Sequence, residues 1–440
     1  MSRPRNFGAR RGFGGEMRRA SSVRPLLRSP ARWALSAAFA LAAACADTGG
    51  TTTLDAATVL DAGAAADADA PPDLGLAPDA GPTPDAGPTP DAGPTPDLGA
   101  APDADVSPAD AGAGDPWAEI DRTVRARAAA DAIPGLALVV VDATDRVVFS
   151  QVYGDFALDR RVAVASASKW IAGVVFGELV ARGQLSLDDT TGAVLGWRDK
   201  RDITLRHLLS FTSGLQRSNP CNNNARITLE ACVDRIATST AAAPPGARFD
   251  YGSTHLAVAA RMAEVRTGRT WNALFREILG DPLGLPPEVT YFTAPRQAVG
   301  TDNPLVAGGL RASVDEYRAL LRVLFHRGRV GTLEIAEPGW FDAMATEPYP
   351  SATVGSSPVA AVGLPFRYGL TSWLECATPA AGCAVSASPG AFGWTPWVDR
   401  ERGYYAILGM ELTGVEGGVV AFSVELQQAL QPLIVDALGR

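Results

Sequence analysis

The sequence predicts an α+β fold in which one antiparallel sheet is assembled from both ends of a folded region and a large, mostly helical segment is inserted between them. Strand-like segments LALVVVD (136–142) and RVVFSQVY (146–153), joined by a turn at Ala143 to Asp145, stand near its start. From Arg367 the β-type alternation returns in RYGLTSWLE, GAFGWTPWVD and GYYAILGME. Between them, 184 to about 345 carries helical spacing in RHLLSF, LEACVDRIA, LAVAARMAEV, WNALFREIL and VDEYRALLRVLF. Strands at both ends with helices between them predict a sheet, a helical lobe and a cleft where the two meet.

The elements follow in chain order. The first 32 residues hold nine arginines against the single acid Glu16, and the apolar run WALSAAFALAAAC (33–45) follows. About a dozen residues is too short to span a bilayer as a stable helix, so 1–45 reads as an export signal. The end LAAAC resembles the lipobox of bacterial lipoproteins, which implies cleavage before Cys45 and its lipidation. Ala42 stands where that pattern prefers Leu, with Leu41 one place early, and plain cleavage leaving Cys45 free is the alternative. Met17 is an alternative start to Met1, and RRGF at 10–13 echoes a twin-arginine signal.

Residues 46–116 are mostly Ala, Asp, Pro, Gly and Thr, with PDAGPT repeated from Pro78, Pro84 and Pro90. With almost no large apolar side chains to offset ordering entropy, this segment is expected to be a disordered linker. At about 3.1 Å per residue it could reach on the order of 200 Å. It holds fourteen aspartates and no basic residue, so it accounts for most of the net charge of −9. The folded part, 117–440, is near neutral, and nothing in it points to nucleic acid.

That part opens with a helical segment at 117–132. A second helix is expected from near Ser166 to Arg182, and a third, GVVAFSVELQQALQPLIVDAL, closes the chain. Five cysteines are odd; setting Cys45 aside leaves Cys221 with Cys232 and Cys376 with Cys383, each pair closing a short loop in an oxidising compartment. Four free thiols in a cytosolic protein are the alternative. There is no CxxC or Cys/His cluster for zinc, no HExxH and no GxSxG, so neither a metal centre nor an α/β-hydrolase elbow is expected.

The chemistry concentrates at VASASKWIAG (164–173). Lysine occurs at only two positions, Lys169 and Lys200, and arginine supplies the rest of the 39 basic residues. On a helix Ser166 and Lys169 share a face, whereas Ser168 is turned away. A hydroxyl becomes a nucleophile when a neighbouring base takes its proton. A buried lysine can serve and an arginine cannot, because the guanidinium stays protonated. A surface lysine that happens to follow a serine would arise by chance about one time in ten. SxxK alone is therefore only suggestive.

SASKW, ITLRHLLSFTSGL (203–215), FDYGSTHLAVAARMAE (249–264), AGGLRAS (307–313) and SPGAFGWTPWVDRERGYYA (388–406) together resemble the serine β-lactamase and penicillin-binding-protein superfamily, and more closely its esterase and class C-like branch. The resemblance covers about 130–435 and implies a β-lactamase/transpeptidase-like fold. It makes Ser166 the acylated nucleophile, Lys169 its proton acceptor and Tyr251 a base or relay beside the lysine. The oxyanion hole would be the backbone N–H groups of Ser166 and Ala391, with Ser253, Ser388 and Gly390 at the substrate. Two departures stand out: Ser253 replaces the Asn that commonly ends the second motif, and Ser388 replaces the Lys or His of the third. Loss of that cation turns the expectation toward an uncharged ester or amide.

The expectation is thus an exported, lipid-anchored, monomeric serine hydrolase acting on a small-molecule or peptide ester or amide, with no cofactor. A D-alanyl peptidase or β-lactamase is one alternative, and a non-catalytic cell-surface binding module of the same fold is another. His207 and His326 read as structural, His326 at a helix C-terminus. His255, one turn after Tyr251, reads as structural or cleft-facing, and Trp394 and Trp397 as core packing or acyl-pocket lining.

Overall fold

A computed structural model describes residues 115–412 and 418–439. The expected export signal, Cys45 and the linker up to residue 114 lie outside the described residues, which all belong to one compact unit, Ala100–Arg440. Among the described residues no helix is long and apolar enough to cross a membrane.

The sheet has seven strands: β1 (Gly135–Asp142), β2 (Val147–Gly154), β3 (Arg367–Tyr368), β4 (Trp373–Leu374), β5 (Val385–Ala387), β6 (Thr395–Asp399) and β7 (Tyr404–Gly409). Their order is β2-β1-β7-β6-β5-β4-β3, antiparallel throughout. The two ends of the domain meet at its centre, where Ala137 faces Gly409 and Asp142 faces Tyr404. The β1–β2 turn is set by the Asp142 carboxylate, which accepts from the amides of Thr144 and Arg146, while Asp145 takes a positive φ of 66°.

Every residue of β1 is buried, because both faces of the sheet are covered. Leu136, Leu138 and Val140 pack with Ile120 and Val124 of α1 (Ala118–Ala130) and with Phe422, Leu426 and Leu430 of the closing helix Val419–Ala437. Ala137, Val139 and Val141 join the larger core that contains α2 (Ser168–Ala181) and the inserted helices. Burial on both sides is why this strand reads as a continuous apolar run rather than an alternating one.

The inserted lobe is helical, as expected. Its main elements are Leu229–Thr238, α3 (Thr254–Thr267), Trp271–Phe275 and α4 (Val314–Phe325). The start of α4 is fixed by a capping box in which Ser313 and Glu316 satisfy each other's backbone amides. One boundary differs from expectation. Ser166 lies in a 3₁₀ turn, Ala165–Ala167, and the α-helix begins at Ser168. The cause is Ala165, whose φ of 48° turns the chain sharply into the helix.

Candidate active site

The strained turn carrying Ser166 is held from several sides. The Tyr317 phenol donates to the Ala167 carbonyl at 2.9 Å, and the Tyr291 phenol to the Ser168 carbonyl at 3.0 Å. Ser168, directed away from the site, donates to Ala165 O at 2.6 Å and accepts from the Leu310 amide at 3.0 Å. Each bond satisfies a polar group that would be costly to bury alone.

Lys169 is 3% exposed on a helix buried nearly all round. Its Nζ donates to Ser166 Oγ at 3.0 Å and to the Ala307 carbonyl at 2.5 Å, and sits 4.8 Å from the centre of the Tyr251 ring. Among the described residues no carboxylate is paired with it. Burial therefore lowers its pKa to about 7, leaving a substantial free-amine population at neutral pH.

Tyr251 follows the short strand Arg248–Asp250 and precedes α3. Its ring packs against Trp373 at 5.0 Å and Phe211 at 5.4 Å, and its hydroxyl is hydrogen-bonded by Ser166 and Trp373. Burial pushes its pKa up to about 12 despite those bonds, so at neutral pH it is a phenol and can relay a proton. Gly252 is required beside it, since a Cβ there would lie 1.8 Å from the Arg217 carbonyl, which accepts from the Ser253 amide at 2.8 Å.

A cleft of about 370 Å³ opens over these groups, and Ser166, Lys169, Ser253 and Ala391 all line it. Among the described residues neither the Ser166 nor the Ala391 amide has an acceptor, as an oxyanion site requires. Gly390 serves the nucleophile turn more than the cleft: a Cβ there would lie 2.4 Å from Val164 O. Ser388 corrects the expectation of a substrate contact, because it is 1% exposed and its hydroxyl donates to Ser166 O at 3.1 Å.

Trp394 and Trp397 are fully buried in the cores on opposite faces of the sheet, so neither lines the cleft. Phe392 does. His255 is buried between Ser213 Oγ at 2.7 Å and Asp250 O at 2.8 Å, and burial lowers its pKa to about 4, so it is a neutral structural ring. His207 completes a capping box with Thr204, and His326 caps the C-terminus of α4 and meets Asp145 Oδ1 at 2.7 Å. Both cysteine pairs are joined, Cys221–Cys232 and Cys376–Cys383. Among the described residues no cluster of His, Cys, Asp and Glu could hold a metal ion. Asn223 and the hairpin tip Pro295–Gln297, which line the cleft, and Trp373, which packs on Tyr251, were not expected at the site. They come from a two-residue strand, a 3₁₀ turn and a hairpin tip, all too short to show a period; the AGG run at 307–309, where a Cβ on Gly309 would strike Phe292 O at 2.2 Å, was the readable sign of close packing there.

A model of the Beta-lactamase family matches residues 120–417. The chain belongs to that family. It is a β-lactamase and penicillin-binding-protein-like family of serine hydrolases that includes esterases and acyltransferases. A Bacteroides dorei DSM 17855 protein described provisionally as a beta-lactamase is 31% identical, with a TM-score of 0.64 over 74% of this chain and 99% of that one. Penicillin-binding protein 4 of Amycolatopsis lactamdurans is 31% identical over 139 residues, 28% of this chain and 35% of that protein, so the chain matches about a third of that relative's length. EstCE1, a hydrolase with promiscuous acyltransferase activity, shares the fold at 18% identity, with a TM-score of 0.55 over 70% of this chain and 99% of that one.

Proposed function

We propose that the protein hydrolyses a carboxylic ester or amide through an acyl-enzyme on Ser166, with an ester as the better substrate. One observation carries this: a lysine amine with a pKa near 7 stands 3.0 Å from a serine hydroxyl. The free amine of Lys169 takes the hydroxyl proton as Oγ bonds to the substrate carbonyl carbon. The oxygen that gains the electron pair is met by the amides of Ser166 and Ala391, each such donor being worth about 10²–10³ in rate. The intermediate collapses by breaking the bond to the leaving group, which takes a proton from Lys169, directly or through the Tyr251 phenol. Water then repeats the sequence on the acyl-enzyme and releases the acid.

The test is hydrolysis of a short-chain nitrophenyl ester by the intact protein, with Ser166→Ala beside it and a fluorophosphonate to label the serine. Turnover and labelling that both vanish in the variant support the reading. Equal rates in both, or a folded protein that neither turns over nor labels, would favour the non-catalytic binding module. A peptidase or β-lactamase reading is supported by the likeness to a penicillin-binding protein. Turnover of a chromogenic cephalosporin comparable to that of the ester would favour it.

The same proposal places the protein outside the cytoplasm, tethered by lipid on Cys45. The two disulfides support an oxidising compartment. Cys45→Ser should move the protein from the membrane fraction to the soluble one; unchanged fractionation would remove the anchor.

A further inference from the structure

A second cavity, of about 210 Å³, shares no lining residue with the catalytic cleft. Tyr368 lines it and meets the Tyr251 ring edge-on at 5.7 Å. Another part of its wall is the strand Thr353–Ser356, which pairs in parallel with Arg248–Asp250 and whose Ser356 carbonyl accepts from the Tyr251 amide at 2.8 Å. The cavity is thus distinct from the cleft, and the two are joined through a ring and a strand that both touch Tyr251.

The lining is largely apolar and aromatic, with Phe249, Tyr349, Leu364, Phe366 and Tyr368. Its charged groups neutralise each other, since Arg367 Nε donates to Glu347 Oε1 at 2.6 Å. The Ser210 and Thr212 hydroxyls also have each other, at 2.8 Å. Tyr368 differs: it is 4% exposed, and among the described residues its hydroxyl has no hydrogen-bond partner. A buried phenol in that position is costly until another molecule supplies the missing bond.

We propose that this cavity is a second binding site, for a neutral monocyclic aromatic molecule whose one polar group pairs with the Tyr368 hydroxyl. An apolar cavity of about 150 Å³ is large enough to take up benzene, so this one admits a ring with a short substituent. Aromatic walls favour a ring as occupant. An ion would lose its water here and find every opposite charge already paired.

The probe is 4-ethylphenol, with 4-ethylbenzoate as its anionic counterpart, and neither measurement uses the chemistry at Ser166. Calorimetry on the intact protein should give one site for the phenol, with a Kd below about 1 mM, and at least about ten-fold weaker binding of the benzoate. Ala360 is an exposed residue of the cavity wall, so Ala360→Trp should block the mouth and abolish binding. Ser253→Trp, which obstructs the cleft instead, should leave it intact. Tyr368→Phe should weaken the phenol about five-fold, the scale of one neutral hydrogen bond, without weakening ethylbenzene, which has no hydroxyl to lose. A folded protein that does not bind the phenol at about 5 mM, or binding that survives Ala360→Trp, would overturn the site. Preference for the benzoate would overturn its neutral character, and an unchanged Kd in Tyr368→Phe would remove the tyrosine from it.

Discussion

The two lysines make similar contacts in different surroundings. Lys169 donates to the Ala307 carbonyl and lies over Tyr251; Lys200 donates to the Ala237 carbonyl and lies 5.8 Å from the centre of the Trp197 ring. Both contacts favour the charged ammonium. What separates them is water: Lys200 keeps partial access to solvent, whereas Lys169 is buried against Ser166, Ala307 and the Tyr251 ring. Desolvation outweighs the contacts and brings Lys169 to about 7. At Lys169 burial without a counter-ion outweighs two contacts that favour the ammonium.

The sharpest way to break this comparison is Lys169→Arg, which keeps the charge and discards the titration. Acylation, read as pre-steady-state release of nitrophenol, should fall by at least about 10³, within the range of lost general-base catalysis. Retention of a tenth of the normal rate would show that proton transfer lies elsewhere.

Lys169→Met should then stabilise the fold while abolishing activity. A lysine with a folded pKa of about 7 binds fewer protons folded than unfolded between there and its ordinary value of 10.5. The penalty is therefore full below pH 7 and fades as pH rises toward 10.5. Near neutral pH it amounts to up to about 4 kcal/mol. Urea unfolding of both proteins at pH 6 and pH 9 should show the variant's advantage shrinking at the higher pH. An advantage independent of pH would mean that the lysine is not titrating in the folded state.

The normal enzyme should show kcat/KM for a neutral ester rising about ten-fold per pH unit below 7 and levelling above it, as the free amine populates. A flat profile between pH 5 and 8 would contradict the pKa assignment. Smallest of all, Lys200→Met should leave stability within about 0.5 kcal/mol and activity unaltered. A large loss there would erase the distinction between the two lysines.

The legible parts of the molecule were those with period or motif. β1 and β2 agree with the expected segments within a residue, and VDEYRALLRVLF coincides with α4 because its apolar residues keep helical spacing from end to end. The expected β-segment RYGLTSWLE does hold strands, but it is broken into the pairs Arg367–Tyr368 and Trp373–Leu374, and that division depends on strand pairing rather than on local alternation. Ser166 and Lys169 could be found because their spacing serves their chemistry, and Tyr251 through the resemblance of its YGS to the family's second motif; the structure brings all three together. The direction of the Ser388 hydroxyl could not, since only the approach of a distant strand to the nucleophile turn offers it the Ser166 carbonyl. The hairpin tip Pro295–Gln297 was hidden for the same reason: nothing local marks it as part of a cleft wall.

The central pairing of β1 with β7 has a consequence for how the chain matures. Ala137 meets Gly409 only after nearly the whole domain has been synthesised, and no shorter piece can complete the middle of the sheet. Contacts this remote in sequence make folding slow and let the chain emerge from the ribosome without its final hydrophobic partner. Until that last strand appears, the unpaired edge and apolar faces of the sheet stay exposed, which is the state a chaperone would cover.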